Sequence, residues 1–367
     1  MPFQQAPDVV AGDAPRVGTL PSGPLDLISD VAGVKVGHAT IAEGERQTGV
    51  TVVIPHERDE FLYKVPAAAT VINGFGKSVG LVQLEELGVV ETPLALTNTF
   101  SVGAIATAQI ETALRRHRQI GREWPTLNPL VFECNDGYLN DIQAMAVSAG
   151  HYTHACAAAA PMFAQGSVGA GRGMSCFGFK GGIGSASRVA MLANGERYTL
   201  GALVLANFGR LCHLSVVGQP LGRTLAANRA GGGDEFSEPE KGSIIMIVAT
   251  DAPLDTRQLG RVAKRAGAGL ARMGSVYGHG SGDIALAFST AYQIPHLPDE
   301  PMPSVRMLHE SHIDALFEAC AEAVEQAIVH AMWRAASVTG RDGHSRRSIL
   351  EALPDWRSVL DPQRSEE

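Results

Sequence analysis

Two serines in this chain stand where a hydroxyl could become a nucleophile, and each implies a different chemistry. Ser243 follows Gly242 where the glycine-rich, acidic run 230–241 (AGGGDEFSEPEK) gives way to the apolar SIIMIVAT. Backbone cleavage before Ser243 would leave a terminal residue carrying both a hydroxyl and a free amine. That pairing matters because a serine hydroxyl needs a base: an α-amine titrates near ~7.7–8.0, whereas a lysine side chain near ~10.4 is mostly protonated at neutral pH. Glycine before the serine has no Cβ, so the hydroxyl can approach the scissile carbonyl. Ser78 lies in Gly76-Lys77-Ser78-Val79-Gly80, a G-x-S-x-G between the strand-like AAATVINGF and the helical VGLVQLEELG. This is the setting of an α/β-hydrolase nucleophile elbow, and Asp283 followed by His296 or His309 would complete its triad in chain order.

Other reactive residue types point nowhere specific. His151-x-x-His154 and His309-x-x-His312 have helical spacing, but neither carries the H-E-x-x-H pattern or a third acidic ligand, so capping or surface roles are expected. Gly181-Gly182-Ile183-Gly184 completes no phosphate-binding motif. The five cysteines (Cys134, Cys156, Cys176, Cys212, Cys320) are widely spaced and read as small fillers. No metal and no cofactor is expected.

The elements that must position these residues are short. Apolar segments such as VTVVIP, AAATVING, PLALTN, NPLVFE, YTLGALVLAN and SIIMIVAT read as strands buried on both faces or inside a sandwich. Thr256–Arg272 has its apolar residues Leu259, Val262, Ala263, Ala266 and Leu270 on one helical face. A longer helix is expected after Ser311, with Ser311 and Asp314 as its N-terminal cap. The class is α/β or α+β. Residues 230–241 bury little apolar area and are expected to be exposed. With 367 residues, a formal charge of −8 and scattered basic residues, the chain is expected to form a globular core and to bind no nucleic acid. The sequence has no basic-then-apolar leader and no run of eighteen apolar residues, so no membrane association and a cytoplasmic location are expected.

Several of these stretches, KGSIIMIVATDAPL (241–254), GSVYGHGSGDIALAFST (274–290), NDGYLNDI (135–142), VLANFG (204–209) and FKGGIGSASR (179–188), occur together and in order. In these motifs the chain resembles the self-processing L-aminopeptidase/D-esterase and β-peptidyl aminopeptidase family. The resemblance implies an α+β fold, a four-layer αββα sandwich. It also implies cleavage between Gly242 and Ser243 into an α chain (1–242) and a β chain (243–367) that form one structural domain, assembled into a homotetramer. Carried over residue by residue, Ser243 matches the nucleophile, Ser281 and Asp283 a hydroxyl–carboxylate relay, and Asn207 an oxyanion-stabilising side chain. Tyr138 matches a tyrosine near the tetrahedral intermediate, and Glu133 or Asp136 could hold a substrate's ammonium. Some relatives carry glutamate where this chain has Asp283. The implied substrate is a small peptide, amide or ester with a free amine. Two rivals are the Ser78 hydrolase and an acyltransferase similar to the ornithine acetyltransferases, whose nucleophile is threonine.

Overall fold

A computed structural model describes residues 14–227 and 242–360. The segment 230–241, expected to be exposed, lies outside the described residues. In chain order come β1 (Lys35–Glu43), β2 (Arg46–Ile54), β3 (Tyr63–Gly74), α1 (Leu81–Leu87), β4 (Val89–Val90), β5 (Leu94–Asn98), α2 (Val102–Arg116), β6 (Val131–Cys134) and α3 (Ala149–Ala157). The chain continues through β7 (Ser175–Cys176), β8 (Phe179–Lys180), β9 (Gly182–Met191), β10 (Arg197–Asn207), α4 (Leu221–Ala227) and β11 (Ser243–Thr250). Then follow α5 (Thr256–Arg272), β12 (Gly282–Ser289), β13 (Ile294–Pro295), α6 (Asp314–Trp333), β14 (Val338–Thr339) and β15 (Ser345–Arg346).

The strands form two principal sheets, one ordered β1-β2-β5-β6 and the other β13-β3-β12-β11-β10-β9, with β4 beside β3. An unbroken apolar run such as SIIMIVAT is what a strand covered on both faces requires, because successive side chains point to opposite sides. Ile244, Met246 and Val248 pack with Leu259, Val262 and Ala266 of α5 and with Val324 and Ile328 of α6. The alternate residues Ile245, Ile247 and Ala249 join Val53, Leu96 and Phe132 of the other sheet. Beyond that sheet, Val50, Val52 and Val131 meet Ile105 and Ala108 of α2 and Tyr152 of α3. The layers therefore run helix, sheet, sheet, helix, as the resemblance implied.

Helix α5 spans the residues expected from its apolar stripe, and Asp255 caps it by accepting the Gln258 N–H at 2.7 Å. The start of α6 differs from expectation. Ser311 does not cap it: its N–H donates to His309 Nδ1 at 3.2 Å and its hydroxyl pairs with the same ring nitrogen at 2.7 Å, within a 3₁₀ turn that precedes the helix. Cys134, Cys176 and Cys320 are buried, whereas Cys156 and Cys212 are partly exposed. No helix of the described residues is long and apolar enough to cross a membrane.

Strand β11 pairs antiparallel with β10 and parallel with β12, and β12 pairs antiparallel with β3. Parallel neighbours need a crossover, which α5 supplies. These directions bring four strand ends to one edge of the sandwich: Ser243 lies opposite Asn207 and Gly282, while Gly282 and Asp283 lie opposite Gly74 and Asn73. The segments before and after Gly242 thus share the middle of one sheet.

Candidate active site

Ser243 is buried at the first position of β11. Its hydroxyl donates to the Gly242 carbonyl oxygen at 2.7 Å and accepts from the Gly282 N–H at 3.1 Å. The same N–H lies 3.3 Å from the Gly242 oxygen. One backbone donor of β12 therefore serves both the hydroxyl and the carbonyl before it. Position 242 admits only glycine, since a Cβ there would stand 2.5 Å from the Asn207 oxygen and 2.8 Å from Phe208 Cα.

Beside this pair, buried Ser281 donates its hydroxyl to Asp283 Oδ1 at 2.5 Å. The loop carrying Ser281 is tied down from two sides. Asn73 Nδ2, at the end of β3, donates to the Ser281 carbonyl and to the Gly278 carbonyl at 3.0 Å. Tyr277, in left-handed backbone with φ 53°, donates its phenol to the Gly267 carbonyl of α5 at 2.5 Å. Burial and the Asp283 carboxylate push that phenol above its ordinary pKa. The non-glycine left-handed conformation is held in place by these contacts.

Asn207, the last residue of β10, has its carboxamide orientation determined by two backbone groups. Its Oδ1 accepts from Ser175 N–H at 2.8 Å, and its Nδ2 donates to the Asn135 carbonyl at 2.9 Å. Glu133 accepts the Lys77 N–H at 2.8 Å through Oε1 and the Thr99 hydroxyl through Oε2. Gly76 separates it from the Ser243 strand end, because a Cβ built there would lie 3.6 Å from Glu133 Oε1 and 3.8 Å from Gly282 Cα. Burial pushes the thiol of Cys134 well up, and the carboxylates of Glu133 and Asp283 add to the shift. The Asp136 carboxylate adds to the same shift.

Asp136 is placed differently from Glu133. It is 0% exposed, inside a turn where Asn140 Nδ2 donates to its Oδ1 at 3.0 Å and the N–H groups of Leu139 and Asn140 donate to its carbonyl. Burial pushes its carboxyl up to about 7, against hydrogen bonds from Thr48 and Asn140 that favour the ionised form. Its folded pKa thus exceeds the unfolded value of ~3.9, so its contribution to stability is full below that value and declines as pH rises through the folded one. Asp136→Asn carries no charge at either extreme. It is expected to gain in thermal midpoint relative to wild type as pH rises between about pH 4 and about pH 7. A Tm difference that stays flat over that range would show that folding does not perturb this carboxyl.

Tyr138 is 40% exposed and stacks face to face on His344, with centroids 4.7 Å apart and planes at 7°. Ser78 is not organised as a nucleophile. Its Oγ has no hydrogen-bond partner among the described residues, and the helix after it is capped by Gly80 instead. His296 packs on Phe61 at 4.4 Å beside the start of β3, while Asp283 faces Asn73 near its end, roughly 30 Å away along the strand. His309 caps a 3₁₀ turn and His151 caps α3. Among the described residues no group of three or more His, Cys, Asp or Glu side chains could hold a metal ion.

Sequence reasoning missed Asn73, Thr99, Ser175 and the N–H groups of Lys77 and Gly282. Asn73 stood in an otherwise ordinary strand end, and a backbone N–H has no signature of its own in a sequence.

Comparison with known proteins gives a consistent assignment. The model of peptidase family S58 matches residues 26–346. The chain is 38% identical over 360 residues to the β-peptidyl aminopeptidase BapA of Sphingosinicella microcystinivorans, covering 92% of this chain and 88% of that protein. Among solved structures, the PH0078 protein from Pyrococcus horikoshii OT3 superposes with a TM-score of 0.87 at 45% identity, covering 96% of this chain and 97% of that one. The L-aminopeptidase D-Ala-esterase/amidase of Ochrobactrum anthropi, described as a prototype of the serine aminopeptidases and a variant of the Ntn-hydrolase fold, superposes with a TM-score of 0.85 at 34% identity. That match covers 96% of this chain and 97% of that one.

Proposed function

Because the chain belongs to peptidase family S58 and is a serine-type aminopeptidase/amidase of the N-terminal-nucleophile kind, we propose that its nucleophile is Ser243, set free by cleavage of the Gly242–Ser243 bond. The observation that carries this reading is the Ser243 hydroxyl held between the Gly242 carbonyl and the Gly282 N–H. In self-cleavage, Ser243 Oγ attacks the Gly242 carbonyl carbon and loses its proton, and the Gly282 N–H supports the oxygen on which charge develops. The C–N bond then breaks, the Ser243 nitrogen takes a proton, and Gly242 is left as an ester on Oγ. Water hydrolyses that ester, leaving a carboxylate at Gly242 and a free α-amine at Ser243. The products are an α chain (1–242) and a β chain (243–367). They stay one structural domain because β11 remains paired with both β10 and β12. The resemblance in sequence also supports assembly of such units into a homotetramer.

In turnover the α-amine accepts the Oγ proton as Oγ attacks the substrate carbonyl, then passes it to the leaving amine, so the acyl group resides on Ser243 until water removes it. Ser281, oriented by Asp283, stands beside the first pairs of β11 and β12 and hydrogen-bonds the amine. Asn207 Nδ2 and Tyr138 attend the oxyanion. Glu133 holds the substrate ammonium, and its two protein donors leave lone pairs for a third partner. Asp136, enclosed in its turn, acts as a structural acid. The substrates are short peptides, amino-acid amides or esters with a free amine. Acetylating that amine removes the charge that Glu133 would bind, which is expected to lower kcat/KM by the equivalent of about 1.5–3 kcal/mol or more. Equal turnover of an aminoacyl amide and its N-acetyl derivative would refute this assignment.

A further inference from the structure

The C-terminal hairpin β14–β15 lies outside every motif considered above, yet it grips the loop that carries Tyr138. Arg341 donates its N–H to the Leu139 carbonyl at 2.8 Å and its Nε to the Gly137 carbonyl at 3.0 Å. His344 Nδ1 pairs with the Tyr138 carbonyl at 2.9 Å while its ring stacks on the tyrosine. Gly340 lets the hairpin approach this closely, because a Cβ there would stand 1.9 Å from the Leu139 oxygen. Arg346 places its guanidinium carbon 3.8 Å from the centroid of the Tyr138 ring and donates from Nε to Ser175 Oγ at 3.3 Å. The N–H of this same Ser175 donates to Asn207 Oδ1 at 2.8 Å. With that oxygen engaged, the amide must present its N–H₂ to its other neighbours.

We infer that Arg346 is a positioning residue for hydrolysis: one guanidinium fixes the Tyr138 ring and, through Ser175, the side of the Asn207 carboxamide offered to the oxyanion. This inference rests on the roles proposed above for Asn207 and Tyr138. The group acts across the cleavage site, because Arg346 lies in the β chain and Tyr138, Ser175 and Asn207 lie in the α chain. Cleavage chemistry at Gly242 and Ser243 uses the Ser243 hydroxyl and the Gly282 N–H, and neither the Tyr138 ring nor the Asn207 carboxamide takes part in that step, so processing is expected to proceed without Arg346. Of the stabilisation that a cation–aromatic contact and one charged hydrogen bond provide, only the part realised in the transition state enters kcat, and its removal is expected to cost roughly 10-fold in rate.

The test measures kcat and KM per titrated active site for Arg346→Met, Arg346→Lys, Ser175→Ala and the Arg346→Met/Ser175→Ala double variant, with Ser243→Ala as reference. Arg346→Met is expected to be fully processed, with kcat lowered about 10-fold and KM changed less than about threefold. Arg346→Lys, which keeps the charge without the planar fork, should recover part of the loss. Ser175→Ala removes only the hydroxyl, and the double variant should be no slower than Arg346→Met, because both changes break one connection. Wild-type kcat in Arg346→Met, or a fall in Tm alone, would overturn the inference while leaving the Ser243 reading intact. Should Arg346→Met fail to fold, wild-type kcat in both Arg346→Lys and Ser175→Ala would overturn it equally. Activity in Ser243→Ala would instead overturn the nucleophile assignment.

Discussion

Ser243→Ala is expected to remain a single full-length polypeptide with no measurable hydrolysis, where wild type separates under denaturing conditions into residues 1–242 and 243–367. The smaller wild-type fragment should begin Ser-Ile-Ile-Met. The reasoning is chemical. Alanine fills the same buried strand position but cannot attack the Gly242 carbonyl, so neither the ester nor the free α-amine forms. Loss of the hydroxyl removes two hydrogen bonds, yet the Gly282 N–H still faces the Gly242 oxygen at 3.3 Å. The stability cost is therefore only about 1 kcal/mol per bond, too little to unfold a large core. The rate loss should be about 10⁴-fold or more, because nucleophile and base vanish together. Ser78→Ala, whose hydroxyl has no partner among the described residues, should process and hydrolyse normally. An uncleaved Ser243→Ala protein that still turned over substrate would end the N-terminal-nucleophile reading, as would loss of hydrolysis in Ser78→Ala alone.

Asn207→Ala is expected to lower kcat by about 10²–10³-fold, the usual consequence of deleting one oxyanion donor from a buried site. The alanine variant also leaves the Ser175 N–H and the Asn135 carbonyl without their partner, at about 1–3 kcal/mol each in stability. That structural cost would confuse the result, so the informative companion is Asn207→Asp. Aspartate keeps an acceptor for Ser175 but replaces the donor by a negative charge beside the developing oxyanion. It should be at least as slow as alanine. A folded, processed Asn207→Asp enzyme within about threefold of wild-type kcat would mean that Asn207 serves only to join its two backbone partners.

Much of the architecture was legible because burial imposes a period. The unbroken apolar run of β11 reads as a strand buried on both faces or inside a sandwich, and the stripe from Leu259 to Leu270 as one face of a helix, and both pack so. Caps were less legible. Asp255, which the apolar stripe did not single out, accepts the Gln258 N–H three residues on, whereas the hydroxyl and N–H of Ser311 both engage His309 Nδ1 two residues earlier. Glu133 and Asp136 looked equivalent in ECNDGY, yet one ends a strand near the nucleophile and the other is enclosed by its own turn.

The sequence by itself determined which residues could carry the chemistry: Gly242 before Ser243, and Ser281 two positions from Asp283, lie close along the chain, so their spacing is written in the order of the residues. Only the tertiary structure decided what meets them. The Gly282 N–H reaches Ser243 across 39 positions, Ser175 reaches Asn207 across 32, and Arg346 reaches Ser175 across 171. Such contacts depend on strand register, and shifting a strand by one residue turns every side chain to the opposite face. Register in turn follows from how two sheets and two helix layers fill one core together, a property of the whole chain that no local stretch contains.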